Sequence, residues 1–435
     1  MTPSDDSGTG SAGAATFDRE DLLRRFREVR ERTVSLAAPL APEDMVVQSM
    51  PDASPTKWHL GHTSWFFEAL VLEAGRPGLP WYDPVYPYLF NSYYNSLGNQ
   101  FPRPRRGLIT RPTVAEVERY RRHVDDAVTA LVVGAEEEEM RRLGPVIEIG
   151  THHEQQHQEL ILTDIKHALA QNPLRPVYRP RAGEPGPHTT PPATGWSRFE
   201  EGIHTVGHAG SGFAYDNEGP AHRVLLPAFE IAERPMTNAE VLAFIEDGGY
   251  RRPELWLSEG WAAVQREGWA APLYFEERDG GWWHFTLAGQ APLDPAEPAC
   301  HLSYFEADAL ARWAGARLPT EFEWEVAAAT APVAGTFVES ERFHPAPLPG
   351  TPGTHGYYGD VWQWTSSSYA PYPGYRAGQG ALGEYNGKFM CNQYVLRGGS
   401  CATPRSHIRR TYRNFWAPHT RFQFAGCRLA RDPGR

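Results

Sequence analysis

Between Gly150 and Leu160 the chain reads Gly-Thr-His-His-Glu-Gln-Gln-His-Gln-Glu-Leu, with His153 and His157 four residues apart. On a helix turning by about 100° per residue, that spacing puts both imidazoles on one face, one turn apart, where their ring nitrogens can reach a single metal ion. Two ligands leave such an ion under-coordinated. A third imidazole is available upstream, in Trp58-His59-Leu60-Gly61-His62-Thr63-Ser64-Trp65, which reads as an amphipathic helix able to pack beside the first, and His62 is its candidate ligand. His59, His152 and His167 compete for the same role, although His152 is turned by about 100° from His153. Asp164 shares the face of His157 but lies about 10 Å further along the axis, which suits orienting a ligand from behind, or an unrelated role, better than ligation. Against all of this stands the simpler reading that an H-x-x-x-H pair arises by chance on structural helices.

Holding such a site requires facing helices, and the flanking sequence supplies four. An apolar stripe over Phe17–Ala38 (Leu22, Leu23, Phe26, Val29, Val34, Leu36) predicts the first. Lys57–Ala74 predicts the second, stopped by Gly75 ahead of Arg76-Pro77. A long Pro-, Tyr- and Asn-rich loop, 79–111, follows; loops of this length without regular structure usually carry function. Thr113 and Glu116 form a capping box for a third helix ending near Val133-Gly134. Pro145, read as a first helical position, starts a fourth that runs to Gln171 before Asn172-Pro173. Four-helix bundles build metal sites from inward side chains of facing helices.

After residue 172 the character changes. Residues 173–198 are rich in Pro and Gly and read as a linker. Residues 199–435 are rich in Trp and Gly, with short strands, loops and three short helices opened by Thr237, Ser303-x-x-Glu306 and Thr320-x-x-Glu323. The expected class is α+β, with a cleft between an aromatic-lined second half and a metal-bearing bundle. A length of 435 residues with 41% hydrophobic content suffices for two cores. A formal charge of −11 gives no basic footprint for nucleic acid, and no apolar run reaches membrane-spanning length. Residues 1–16 read as a disordered tail without signal-peptide character. Cys300, Cys391, Cys401 and Cys427 show no pairing pattern, which suggests buried thiols in a reducing, cytoplasmic setting.

Several motifs of the second half occur in a recognisable order: Asp216-Asn217-Glu218-Gly219-Pro220-Ala221-His222, Pro235-Met236-Thr237-Asn238-Ala239-Glu240, Arg317-Leu318-Pro319-Thr320-Glu321-Phe322-Glu323-Trp324-Glu325, Gly359-Asp360-Val361-Trp362-Gln363-Trp364-Thr365 and Val395-Leu396-Arg397-Gly398-Gly399-Ser400. They resemble the C-type-lectin-like domain of the formylglycine-generating (sulfatase-modifying factor) superfamily. The first half resembles a DinB-like four-helix bundle. The fusion, together with the 150–160 stretch, is similar to the ergothioneine-biosynthetic sulfoxide synthases. That resemblance implies a non-heme iron(II) centre held by His62, His153 and His157, with dioxygen as co-substrate. It further implies joining of a cysteine-type thiol to C2 of the imidazole of hercynine. Gln156 and Asn414 match positions that contact hercynine, Phe415 and Trp416 beside Asn414 are further substrate-binding candidates, and Arg103 and Arg106 match binders of the thiol substrate's carboxylate. Three neutral nitrogens leave a metal open positions for substrates, but the same set equally suits zinc, so iron rests on the resemblance.

Two departures from the actinobacterial pattern matter. Where those members carry an acidic residue that helps read a gamma-glutamyl amine, this chain has Trp416, which points to free L-cysteine rather than gamma-glutamylcysteine. The tyrosine expected after the Val-Trp-x-Trp motif has no clear counterpart in 373–380. Tyr93 and Tyr94, in the long loop ahead of Arg103, are the alternative proton donors. Rival readings are an ovothiol-type synthase acting on C5 of histidine, a zinc thiol transferase and a non-enzymatic ligand-binding protein.

Overall fold

The computed structural model describes residues 17–181, 191, 193–348, 355–378 and 380–434. The tail expected at 1–16 and part of the expected linker lie outside the described residues. Helix α1 (Arg19–Ala37) is capped by the Asp18 side chain, which accepts from the Asp21 N–H, and buries Leu22, Leu23, Phe26 and Leu36. All twelve residues of α2 (Thr56–Phe67) are buried. The helix runs on through a π turn (Glu68–Leu72) into a last turn, α3 (Glu73–Gly75). The long loop contains one helical turn, α4 (Tyr86–Phe90), and short 3₁₀ turns. Helix α5 (Val114–Gly134) opens on the expected Thr113–Glu116 capping box.

Helix α6 (Glu137–Gln171) departs from expectation, because it begins before Pro145 and carries that proline inside it. A proline within a helix costs about 3 kcal/mol. Two features offset this cost. Glu137, Glu138 and Glu139 in the first turn complement the positive end of the helix dipole, and burial of Met140 and Leu143 anchors that turn to the bundle.

At the centre of the bundle a buried ion network joins the helices. Arg30 on α1 donates to Glu154 on α6 at 2.8 Å and to Ser64 on α2 at 3.0 Å. Arg121 on α5 reaches Glu154 and donates to Thr63 on α2 at 3.0 Å. Burial alone would raise the Glu154 carboxyl, but the two guanidiniums hold it down to about 2. Truncating one member would strand a buried charge, so the network fixes the rotation of α2 and α6 relative to each other.

The second half contains β1 (Trp196–Phe199), β2 (Gly202–Val206), β3 (His222–Leu226), β4 (Phe229–Pro235), β5 (Phe275–Arg278), β6 (Gly281–Thr286), β7 (Gly289–Pro292), β8 (Trp362–Ser368), β9 (Tyr394–Arg397), β10 (Asn414–Trp416) and β11 (Ala425–Arg431). A mixed sheet has the order β1-β4-β11-β8-β9-β10, in which β11 and β8 run parallel and the other pairs antiparallel. The expected caps at Thr237, Ser303 and Thr320 open α7 (Asn238–Glu246), α9 (Tyr304–Trp313) and α10 (Glu321–Ala327). A further helix, α8 (Ser258–Glu267), escaped the sequence reading because its N-cap, Leu257, offers no capping side chain. Three of the four cysteines are buried as expected, but Cys391 is exposed.

The segment expected as a linker is anchored where it is described. The Tyr178 hydroxyl donates to the Leu36 carbonyl at 2.6 Å, and the N–H groups of Tyr178 and Arg179 donate to Leu287 at 3.0 and 3.1 Å. The bundle's apolar core also continues into the second half through Phe285, Val338, Phe343, Val361 and Phe424.

Candidate metal centre

The three expected ligands converge. The Nε2 atoms of His62 and His153 lie 3.2 Å apart, and those of His153 and His157 lie 3.1 Å apart. Like lone pairs do not approach this closely without something between them or a proton on one of them, and the same separations suit nitrogens sharing one cation. Two glycines permit the approach. A Cβ on Gly61 would meet the Phe90 ring at 2.3 Å, and one on Gly150 would meet Phe67 at 2.7 Å, so larger residues would force α2 away from α4 or α6. All three imidazoles are buried. Burial first, then neighbouring positive groups, pushes His62 and His157 well below the ordinary imidazole value, and burial pushes His153 down to about 3. Neutral imidazole is the form that ligates.

Each ring is held differently. His62 Nδ1 sits 2.6 Å from the Phe90 carbonyl, so it carries the proton and leaves Nε2 as a lone pair. His153 has no partner for Nδ1 among the described residues, but its ring stacks on Phe66 at 4.4 Å. His157 Nδ1 faces His59 Nδ1 at 2.8 Å. The rival candidates are therefore placed elsewhere: His59 lies behind His157, His152 bonds His407 at 3.0 Å, and His167 bonds Ser49 at 2.7 Å. Asp164 bonds His59 rather than the centre.

A second group, His284, Glu297 and His344, also has metal-binding spacing. Its carboxylate is already shared by Arg342 at 2.8 Å and His344 at 3.0 Å, and Lys166 and Arg181 add positive charge beside it. A cation there would meet more positive than negative charge. Beside the His62 group, Arg106 is the guanidinium whose charge opposes a cation.

The His153 and His157 side of the centre opens into a cleft of about 960 Å³ including its mouth. Every substrate-contact candidate from the sequence except Tyr94 lines it: Tyr93, Arg103, Arg106, Gln156, Asn414, Phe415 and Trp416. Tyr94 is buried behind the wall, its ring against Trp65 and Phe66. Arg106 is buried with Nε and Nη2 unpartnered, donates once to Ser54 at 2.9 Å and lies 3.4 Å over the Trp58 ring. Burial lowers its guanidinium to about 9, the response of a cation in want of an anion. Trp58 in turn stacks on His62 at 4.6 Å, which ties this guanidinium to the candidate metal ligands. Arg103 donates to the Tyr93 hydroxyl and the Asp52 carbonyl.

The opposite wall comes from the second half and was mostly invisible in the sequence. Gln156 Nε2 donates to the Tyr412 hydroxyl at 2.8 Å, and Tyr412 meets His407 at 2.9 Å. Tyr215, Tyr385 and Phe389 extend the aromatic lining. Aromatic faces of this kind attract quaternary ammonium groups. A contiguous Tyr-Arg-Asn-Phe-Trp run over 412–416 was the available signal; Tyr215 and Tyr385 had none.

Residues 182–348 and 349–433 match the family model described as the sulfatase-modifying factor enzyme 1-like domain, and residues 25–161 match that of the DinB superfamily. The chain is 34% identical to a hercynine oxygenase of Mycolicibacterium thermoresistibile, with 97% of each chain covered. It is 33% identical to that of Mycolicibacterium smegmatis, covering 95% of this chain and 99% of the relative. Ergothioneine biosynthesis protein 1 of Schizosaccharomyces pombe is 28% identical over 51% of this chain and 28% of its own.

Proposed function

The chain belongs to the hercynine oxygenase family, and from that premise we propose that its cleft joins the sulfur of L-cysteine to C2 of the hercynine imidazole, giving a sulfoxide on the route to ergothioneine. The observation that carries the reading is the convergence of His62, His153 and His157 Nε2 at the end of a cleft with an unpaired guanidinium on one side and aromatic rings on the other. In the overall reaction one C–H and one S–H bond are lost, a C–S and an S–O bond form, and the second oxygen atom leaves as water. Dioxygen thus accepts all four electrons and no other reductant is needed.

An iron(II) ion held by the three imidazoles would activate dioxygen and bind the sulfur as thiolate. The neutral, converging donor set fits such an ion. The remaining work falls to the chain's own residues. The unpartnered Nε and Nη2 of Arg106, helped by Arg103, would clamp the cysteine carboxylate. Gln156, with its N–H committed to Tyr412, keeps its carbonyl oxygen as an acceptor for the hercynine imidazole N–H. Tyr385, Phe389, Phe415 and Trp416 offer rings to the trimethylammonium. The Tyr93 hydroxyl accepts from Arg103, so its own proton remains free to be donated toward the reacting atoms, whereas Tyr94 supports the wall. Buried thiols at Cys300, Cys401 and Cys427 agree with a reducing compartment, and no helix among the described residues is long and apolar enough to cross a membrane.

Anaerobic loading with iron(II), then hercynine, L-cysteine and air, should yield hercynylcysteine sulfoxide by mass analysis. Product from C5 of histidine instead would favour the ovothiol-type reading, and turnover without dioxygen would favour a thiol transferase.

A further inference from the structure

Behind the candidate ligand His157 the structure contains a continuous chain of buried polar groups. His59 Nδ1 lies 2.8 Å from His157 Nδ1, and His59 Nε2 lies 2.9 Å from Asp164 Oδ2. The same carboxylate oxygen accepts the Ser54 N–H at 2.8 Å. All three side chains are buried.

The proton positions follow from the last member. An ionised carboxylate only accepts, so His59 Nε2 must donate to Asp164. In a neutral ring this leaves His59 Nδ1 as a lone pair, which can be satisfied only if His157 Nδ1 carries a proton. His157 Nε2 is then a lone pair, and it is the atom that faces His153 Nε2. Each proton in the chain thus points away from the centre and toward Asp164. The reverse arrangement would put a proton on His157 Nε2 and abolish ligation. Both nitrogens of His59 are consumed, so it cannot itself be a ligand.

We propose that His59 and Asp164 are positioning residues for the metal: they fix the tautomer and ring orientation of His157 and increase its donor strength. The inference rests on the reading of His62, His153 and His157 as ligands. Its basis is an asymmetry among them. His62 is oriented by a backbone carbonyl, which no side-chain change removes, and His153 has only ring packing. Among the described residues, only His157 is joined to a carboxylate by hydrogen bonds, through an intervening imidazole. Carboxylate-terminated partners of ligating imidazoles raise metal affinity by roughly 10- to 100-fold.

Cobalt(II) binding tests this without any turnover. Cobalt(II) is added to the metal-free full chain, its affinity is read by competition with a chelating dye, and its visible ligand-field bands are recorded. The parent chain should bind one ion, lost in His153→Ala; if binding is indifferent to His153, the metal-centre reading itself falls. Given that binding, His59→Phe should weaken it by roughly 10- to 100-fold and shift the bands. Asp164→Asn should weaken it by about 10-fold, because the amide oxygen can still accept from His59 and only the charge is lost. The double variant should match His59→Phe alone, since Asp164 acts only through His59. His59→Gln, whose carbonyl can accept the His157 proton, should recover part of the affinity. Melting of the metal-free variants checks folding, and Asp164→Asn decides the matter if His59→Phe does not fold. Affinities within twofold of the parent with unchanged bands, or losses that multiply in the double variant, would overturn the proposal.

Discussion

Replacing Arg106 with methionine separates substrate recognition from folding. Among the described residues this guanidinium is buried over Trp58 and bonded once to Ser54, with Nε and Nη2 unsatisfied and no carboxylate paired with it. Burial lowers its pKa to about 9, so the charge is held at a cost to the folded state, and an apolar side chain of similar length removes that cost. The metal-free Arg106→Met protein should therefore melt at or above the parent temperature. Binding of the thiol substrate should respond in the opposite sense. Two charge-assisted hydrogen bonds at about 1.5–3 kcal/mol each are lost, together about 3–6 kcal/mol, or roughly 10² to 10⁴ in kcat/KM for L-cysteine. The assay is initial sulfoxide formation at saturating hercynine, with cysteamine, which has no carboxylate, as the comparison thiol. Parent and variant should use cysteamine within a few-fold of each other. An equal loss with both thiols would mean that Arg106 supports the wall or the metal through Trp58 rather than reading a carboxylate, and the clamp argument would fail.

His62→Ala, His153→Ala and His157→Ala should each abolish stoichiometric iron by metal analysis while leaving the circular dichroism of the bundle intact, because its core is formed by Leu, Val and aromatic side chains; full occupancy in any one removes that ligand from the set. Tyr93→Phe should slow carbon–sulfur bond formation by roughly 10² to 10³ and divert cysteine to its sulfinate, while Tyr94→Phe should stay within a few-fold; the reverse order would exchange their roles. Glu154→Gln should destabilise the fold by about 3–5 kcal/mol, because two buried guanidiniums lose their anion. The Glu154 carboxyl has a folded pKa depressed to about 2, so its contribution is complete above the unfolded value of roughly 4.3 and is lost as pH falls toward 2. Acid unfolding followed by circular dichroism should accordingly lose part of its slope across that window in Glu154→Gln, and an unchanged profile would contradict the assignment. L-cysteine should exceed gamma-glutamylcysteine in kcat/KM, since position 416 puts an indole in the cleft wall, although Asp52 and Asp164 also border the cleft; a preference for the dipeptide would assign its second amine to one of those carboxylates.

What was legible in the sequence was local. Capping boxes at Thr113, Ser303 and Thr320 specify their helix starts within four residues, and each is formed as expected. The His153–His157 pair needs nothing beyond the helical period. What was illegible depends on packing between distant segments. Pro145 reads as a helix start because its sequence cannot report that Met140 and Leu143 are buried ahead of it. The distinction between Tyr93 and Tyr94 depends on which adjacent side chain meets Phe66 and which meets Arg103. His59 is as plausible a ligand as His62 until α2 is rotated against α6, and Gly150, whose Cβ would meet Phe67, sets how closely those two helices approach.

That rotation also explains how one helix can organise both halves of the protein. At about 100° per residue, His152, Gln156, Glu159, Thr163 and Lys166 fall within about 40° of one line on α6. Along that line His152 meets His407, and Gln156 meets Tyr412. Glu159 accepts from Trp362 at 2.8 Å, Ser400 at 2.5 Å and Thr403 at 2.7 Å, and Lys166 donates to His301 at 2.7 Å. Every partner belongs to the second half. His153, His157, Leu160 and Asp164 form a second line, turned by roughly 100° from the first, and all four border the cleft. A third direction carries Glu154 to Arg30 and Arg121, and Gln158 to Val29 and Thr33. Because the three lines share one rigid backbone, the distance from the candidate metal ligands to the aromatic wall is set by hydrogen bonds at Glu159 and Lys166, on the first line rather than the cleft line. Glu159 bears this most directly, since burial raises its carboxyl and among the described residues its partners are three neutral donors and no cation. Glu159→Gln keeps the shape and reverses part of that donor pattern, and it should loosen the wall without touching metal or substrate: cobalt(II) affinity unchanged, KM for hercynine raised, and KM for L-cysteine, whose proposed carboxylate clamp at Arg103 and Arg106 lies in the bundle, changed much less. A parallel rise in both KM values would place the thiol site, too, on the second half.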